Sequence, residues 1–135
     1  MLNTCATRFT DFLDSKDLRY DTKLGERGRS IVSFPYDGKV TKLYFSGDDG
    51  TYLSMYTIYE SVPAEKAADI LVVCNELNCK YKWVKFYLDD DNDLIVEADA
   101  ILTVSTAADV AFELMLRLFD ITGESKAKIM KAIYA

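Results

Sequence analysis

The spacing of apolar residues divides the first half of the chain into one helical and three extended segments. Near the start, apolar residues recur every three or four positions, which predicts an amphipathic helix that ends near Lys16. From Gly28 onward apolar and polar residues alternate, as they do in half-buried strands. Turns at Asp37-Gly38 and at 47–50 separate the strands, because glycine supplies the positive φ that tight turns need. We predict strands over 30–36, 40–46 and 51–60.

The second half begins with a helix and returns to strands. Pro63 suits the first turn of a helix, because its φ is fixed and its missing N–H is not needed there. Two further strands are predicted, over 82–88 and 94–102. Ser105 or Thr106 is expected to cap the last long helix, with Thr106 and Asp109 forming a variant of the capping box. Gly123 is predicted to end this helix, and a short final helix follows.

The order of these elements is α-β-β-β-α-β-β-α. Runs of antiparallel strands interrupted by helices define the α+β class. We therefore predict a single antiparallel five-stranded sheet packed against helices. A chain of 135 residues with two prolines and six glycines leaves little room for a linker, so residues 1–135 are expected to form one domain.

The amino-acid composition reduces the number of plausible functional classes. The net charge of −6 opposes binding to nucleic acids and to anionic membranes. No apolar run is long enough to span a membrane, and the N-terminus lacks the features of a signal peptide, so we expect a cytoplasmic protein. Three cysteines without a CxxC spacing fit reduced thiols. The absence of histidine removes the commonest general base and metal ligand, so we predict a protein that is not an enzyme and holds no cofactor.

The acidic segment LDDDNDL lies between the last two predicted strands. Asp89, Asp91 and Asp93 match the first three ligand positions of an EF-hand calcium loop. Leu94 stands where that loop needs glycine, and Ala100 stands where it needs a bidentate glutamate. We interpret the segment as a hairpin turn, because Asp and Asn hydrogen-bond the local backbone in turns. Weak calcium binding at 89–93 is the alternative.

Strand alternation also separates an apolar face of the sheet from a face that mixes aromatic rings with charges. Tyrosine and tryptophan suit interfaces, because they bury area and keep a polar group in water. One interpretation is a surface that binds a partner or a second subunit, and the other is a face covered by a helix. The aromatic residues assigned to this face are Tyr44, Tyr52, Tyr56, Trp83 and Tyr87.

Asn75 and Asn78 lie three apart on the central helix and therefore share a face. They could contact a partner. They could also satisfy backbone groups near the helix end, which is the more common role of asparagine there.

Several phrases carry a resemblance to a known family. They are Val62-Pro63, Asn75-Glu-Leu-Asn78, Ile31-Val-Ser-Phe34 and the hairpin Phe86-Tyr-Leu-Asp-Asp-Asp-Asn-Asp-Leu94. The sequence resembles the YbjN-domain proteins, described as bacterial sensory-transduction regulators, whose fold is similar to that of type III secretion chaperones. The resemblance covers nearly the whole chain and implies a cytoplasmic protein that binds other proteins. It also implies a possible homodimer, as among the chaperones, and it supplies no catalytic residues.

Three hypotheses follow from the sequence. The first is a non-enzymatic protein-binding or regulatory module whose partner is unidentified. The second is an enzyme or small-ligand binder that uses carboxylates and tyrosines, which would require a buried polar pocket. The third is calcium binding at the acidic turn.

Overall fold

The computed structural model describes residues 1–135, and the chain folds as α+β with three α-helices and one sheet. The helices are α1 (Thr4–Ser15), α2 (Ala67–Lys80) and α3 (Ala107–Tyr134). The strands are β1 (Asp21–Leu24), β2 (Ser30–Tyr36), β3 (Lys39–Ser46), β4 (Tyr52–Ser61), β5 (Lys85–Leu88) and β6 (Asp93–Ile101). Short 3₁₀ turns over Glu26–Gly28 and Ala64–Lys66 precede β2 and α2.

The sheet has the strand order β1-β2-β3-β4-β6-β5, and every neighbouring pair is antiparallel. The first four strands form a meander, and the β5–β6 hairpin joins it through β4 and β6. At the β2–β3 turn Asp37 and Gly38 both have positive φ, 52° and 74°, which confirms the hairpin predicted there. The pairing of β4 with β6 makes one continuous sheet of the two halves of the chain.

The sheet has six strands, so the prediction of five was wrong by one. The strand that was not predicted is β1. Its four residues are all exposed and follow no alternation of apolar and polar side chains. It is held through pairing with β2 alone, from Asp21 opposite Ser33 to Leu24 opposite Ser30. A strand that buries neither face leaves no periodic signal in its sequence.

The last helix is continuous for 28 residues, so Gly123 does not end it and there is no separate final helix. Gly123 lies in the helix without a positive φ, and both segments of α3 around it contribute to the core, with Phe119 before it and Ile129 after it. Tertiary packing therefore outweighs the helix-breaking tendency of one glycine. The predicted capping box is also wrong, because the Thr106 side chain makes no capping bond and its backbone N–H instead bonds Thr103 Oγ1 at 3.3 Å.

The core lies on one side of the sheet. One cluster of 30 buried apolar residues joins the three helices to alternate residues of the strands, among them Leu43, Met55, Phe86 and Val96. These side chains belong to the face that the sequence predicted to be apolar. None of the helices is long and apolar enough to cross a membrane.

Candidate interaction surface

No helix covers the second side of the sheet, which we call the open face. Its central side chains are Tyr44 from β3, Tyr56 from β4 and Glu97 from β6, which the strand register places in adjoining positions. Ile31 and Ile95 also point to this side, and both are buried although they lie outside the main core cluster. Neighbouring side chains of the open face therefore shield them, and the alternative of a covering helix is wrong.

Two tyrosines form the centre of the open face. The rings of Tyr44 and Tyr56 stack with centroids 5.6 Å apart and an angle of 11° between their planes. Their hydroxyl groups are hydrogen-bonded at 3.2 Å. The guanidinium carbon of Arg29 lies 4.6 Å from the centroid of the Tyr44 ring, a cation–π distance. Arg29 forms no salt bridge in the chain, and its Nε is buried without a hydrogen-bond partner.

A second polar cluster lies on the neighbouring strands β5 and β6. The Tyr87 hydroxyl donates a 2.6 Å hydrogen bond to Glu97 Oε1. Lys85 Nζ lies 3.5 Å from Glu97 Oε2, 4.0 Å from Asp99 Oδ2 and 5.5 Å from the centre of the Tyr87 ring. Lys85 is thus the one cation near the carboxylates of Glu97 and Asp99. The β5–β6 side of the open face therefore has an excess of negative charge.

Two tyrosines of the open face, Tyr56 and Tyr87, hold their protons more tightly than free tyrosine does. The hydrogen bond with Tyr44, together with burial, raises the pKa of Tyr56 to about 12. Burial and the hydrogen bond to Glu97 also raise the pKa of Tyr87. Both phenols are neutral at physiological pH, so they act as hydrogen-bonding groups and as apolar surface, and not as bases.

Between these clusters the open face forms a shallow concavity of about 500 Å³, lined by Arg29, Tyr56, Ile58, Tyr87 and Glu97 among others. It offers aromatic and hydroxyl surface with one unpaired cation. It contains no cysteine or histidine, and neither of its serines, Ser46 and Ser54, makes a side-chain hydrogen bond to a carboxylate, so no nucleophile is paired with a base. The arrangement is suited to binding.

Exposed apolar side chains surround this centre on the same side of the sheet. Ile58 is 52% exposed and Ile101 is 81% exposed, and Val40 and Tyr52 are also largely exposed. The register places all four on the same side as Tyr44 and Tyr56. The open face is therefore a broad surface with an aromatic centre and an apolar margin, of a kind found at protein interfaces.

Four of the five predicted aromatic residues lie on the open face: Tyr44, Tyr56 and Tyr87 near its centre, and Tyr52 at its margin. Trp83 does not join them. It precedes β5, has a φ of 79° and lies beside Val110 and Arg117 of α3. The strand alternation assumed for residue 83 was wrong, because β5 begins two residues later, at Lys85.

The two asparagines of α2 have different environments. Asn78 Nδ2 donates to the carbonyl oxygen of Phe86 at 3.0 Å, and its Oδ1 accepts from the N–H of Phe86 at 2.8 Å. The side chain therefore satisfies both backbone groups on the outer edge of β5, in agreement with the backbone role considered for it. Asn75 is exposed, and its side chain makes no hydrogen bond within the chain.

The acidic segment forms the turn between β5 and β6. Asp89 Oδ1 accepts hydrogen bonds from the N–H groups of Asp91 and Asp93, each at 2.9 Å, and Asn92 has a φ of 58°. This is the turn chemistry expected from aspartate and asparagine. Oxygens of Asp89, Asp91 and Asp93 lie within 4.8 Å of one another, but exposed carboxylates commonly cluster without a metal ion.

Sequence reasoning missed several residues of the open face, among them Ile58 and Arg29. Ile58 follows Tyr52 and Tyr56 at even spacing on β4, so its side could have been read from the same alternation. Arg29 precedes β2, outside the regular strand, and its approach to Tyr44 has no signal in the sequence.

The fold is a small α+β domain in which three helices cover one sheet face and leave the other open. The chain belongs to the YbjN family, whose model matches residues 6–128 and is described as "Putative bacterial sensory transduction regulator". The resemblance inferred from the sequence is thereby confirmed. No curated protein matches the chain.

Two solved structures are similar to the chain. The crystal structure of YbjN, "a putative transcription regulator from E. coli", matches with a TM-score of 0.63 and 17% identity, over 91% of this chain and 92% of that chain. A chain of the heterodimeric complex ExoU-SpcU, from the type III secretion system of Pseudomonas aeruginosa, matches with a TM-score of 0.46 and 16% identity, over 99% of this chain and 98% of that chain. The first match establishes a shared fold, and the second is too loose to support a functional argument.

Proposed function

We propose that this chain is a non-enzymatic protein-binding module with a regulatory role, and that its open face pairs with the open face of a second copy. The observation that carries the proposal is the exposed apolar margin around the stacked Tyr44 and Tyr56. Burying apolar side chains stabilises association by about 25 cal/mol per Å² removed from water. The family description supports the regulatory role.

The distribution of charge favours a second copy as the occupant. Arg29 and Lys42 lie toward the β2–β3 side of the open face, and Glu97 and Asp99 lie toward the β5–β6 side. In a face-to-face dimer whose two-fold axis runs parallel to the strands, the strand order of one copy lies over the reversed order of the other. An axis near Tyr44 would therefore bring the cations of one copy toward the carboxylates of the other.

We also propose a cytoplasmic location. Cys5, Cys74 and Cys79 are all unpaired, and burial raises the pKa of Cys74 to about 11 and raises that of Cys5. Cys79 is exposed, and three free thiols without a disulfide are typical of a reducing compartment.

Sedimentation equilibrium across a range of protein concentrations tests the pairing. The expected result is a reversible monomer–dimer equilibrium that Ile58→Glu shifts to monomer, since the substitution places a charge on the margin of the open face without touching the core. Leu71→Glu is the matched control, because Leu71 is 54% exposed on α2, away from the open face, and Ile58 is 52% exposed.

Two outcomes would count against the proposal. A chain that stays monomeric at high micromolar concentration would contradict self-association. A dimer that Leu71→Glu dissociates and Ile58→Glu does not would move the interface to α2. Circular dichroism of each variant verifies that the fold is kept.

A further inference from the structure

One edge of β6 has no partner strand at its C-terminal end. The last pairing with β5 is Lys85 opposite Glu97, but β6 continues to Ile101. The N–H of Leu102 donates to the carbonyl oxygen of Thr51, so even-numbered residues of β6 bond β4 and odd-numbered residues point the other way.

Asp99 and Ile101 are the odd-numbered residues beyond the end of β5. Their N–H and C=O groups face outward, and no hydrogen bond in the chain involves them. Four backbone groups in a row, two donors and two acceptors, are thus free on a strand edge. Such an edge is a template for another strand.

Trp83 precedes β5 and is the residue at which the backbone stops following the edge of β6. In the register of the hairpin it would stand opposite Asp99, but its φ of 79° turns the backbone away before β5 begins. A bulky residue with positive φ is a conformational outlier. The residue is 62% exposed, which leaves aromatic surface beside the free edge.

A groove lies on the helix side of the same edge. It has a volume of about 190 Å³ and is lined by Trp83, Ala100, Val110, Leu114 and Arg117, with Asp99 and Glu113 also contributing. Ala100 has a small side chain, so the groove has room for one large apolar side chain of an added strand.

The charged side chains that line the groove favour a basic partner. Glu113 forms no salt bridge, and Asp99 has only Lys85, at 4.0 Å. Arg117 is the one cation in the lining, so carboxylates outnumber it. The net charge of the whole chain is −6, which also attracts cationic segments.

We propose that this edge binds an extended peptide segment of a partner protein by strand addition, with an apolar side chain in the groove opposite Ala100 and a lysine or arginine opposite Asp99. Backbone hydrogen bonds to Asp99 and Ile101 hold the segment, and the groove and the carboxylates select its side chains. The bound segment lies beside the end of β6, where β5 would continue if the backbone did not turn away at Trp83. The outer edge of β5 itself is closed at Phe86 by the Asn78 side chain, so the site is confined to the end of β6.

Trp83 is the only tryptophan of the chain and reports on the site directly. The probe is the blocked peptide acetyl-Thr-Val-Phe-Lys-Thr-amide, titrated to millimolar concentration against the full chain. The expected result is a saturable blue shift of tryptophan fluorescence, because the peptide removes water from the indole ring. The titration is repeated in the Ile58→Glu background, so that the outcome does not depend on pairing through the open face.

Ile101→Pro removes one outward N–H and leaves the bonds that residues 100 and 102 make with β4. Ile101→Thr is the matched control, since it shortens the same side chain and keeps the N–H. Loss of one backbone hydrogen bond together with the steric block predicts an affinity at least about tenfold weaker for Ile101→Pro than for Ile101→Thr. A peptide with methylated backbone nitrogens gives the same information without a protein variant, and should bind at least about tenfold more weakly than the parent peptide.

The peptide with glutamate in place of lysine is expected to bind more weakly, and increasingly so at low salt. The proposal is overturned if no saturable shift occurs in either background. It is also overturned if the methylated and parent peptides bind equally, since binding would then not use the strand edge. Equal binding of the lysine and glutamate peptides would remove the assignment of a basic segment.

Discussion

The Asn78 side chain provides a sharp test of how the edge of β5 is stabilised. Asn78→Ala removes two hydrogen bonds, of 3.0 and 2.8 Å, and leaves the N–H and C=O of Phe86 without a protein partner. At a net value of about 0.5–1.5 kcal/mol for each bond, the expected loss is about 1–3 kcal/mol. The alanine also improves helix propensity by up to about 0.7 kcal/mol, which partly offsets this loss.

Asn75→Ala is the matched control for that offset. Asn75 lies on the same helix, is exposed and makes no side-chain hydrogen bond, so its substitution gives the gain in helix propensity alone. The difference in unfolding free energy between the two variants therefore isolates the bonds to Phe86. Urea unfolding followed by circular dichroism measures it, and a midpoint temperature lower by about 3–4 °C for each kcal/mol is expected in thermal scans.

Amide exchange at Phe86 adds a local measurement. Its N–H should exchange faster in Asn78→Ala, whereas amides in the centre of the sheet should change only as far as global stability does. If Asn78→Ala and Asn75→Ala unfold at the same urea concentration, the two bonds contribute nothing measurable and the account of a closed edge at β5 is wrong.

Three further predictions concern other parts of the chain. Gly123→Ala should stabilise by about 0.4–1 kcal/mol in urea unfolding, because Gly123 is helical and a Cβ there meets nothing within 4 Å. Asp89→Ala should destabilise the β5–β6 turn by about 0.5–2 kcal/mol by removing two backbone bonds, whereas Asp91→Ala, whose carboxylate accepts none, should have little effect. Because the pKa of Tyr56 is raised from 10.0 to about 12, the folded state binds the proton more tightly; its contribution to stability is complete below pH 10 and is lost as pH rises toward 12, and spectrophotometric titration of Tyr44→Phe should show earlier ionisation.

The periodic parts of the fold could be predicted from the sequence, and the exceptions have specific physical causes. The strands β3 and β4 bury alternate side chains, which is the property that alternation in a sequence reports, and β2 and β6 each bury core side chains together with one residue of the open face, Ile31 or Ile95. β1 buries none and was missed. Gly123 was expected to end a helix because local propensity is all that a sequence displays, whereas packing on both sides of it is a property of the folded chain.

The candidate surfaces were predictable to a different degree. Four tyrosines could be assigned to one sheet face because side chains alternate along each strand. The absence of a covering helix depends on where three helices pack, and no local sequence pattern encodes that packing. Trp83 was misplaced because alternation was extended past the start of β5, where one backbone angle reverses the direction of the chain. The free edge of β6 follows from unequal strand lengths in a pairing that is visible only in three dimensions.

The pairing of β4 with β6 also has a consequence for the order in which the chain can fold. Tyr52 pairs with Ile101, 49 positions later, whereas β2, β3 and β4 are joined to one another by short turns. Closing the longer loop costs more entropy, and contacts of high sequence separation slow folding. During synthesis the first four strands emerge before the hairpin that completes the sheet. Until β6 docks, the long edge of β4 is exposed, and this interval is when a nascent chain is most vulnerable to aggregation.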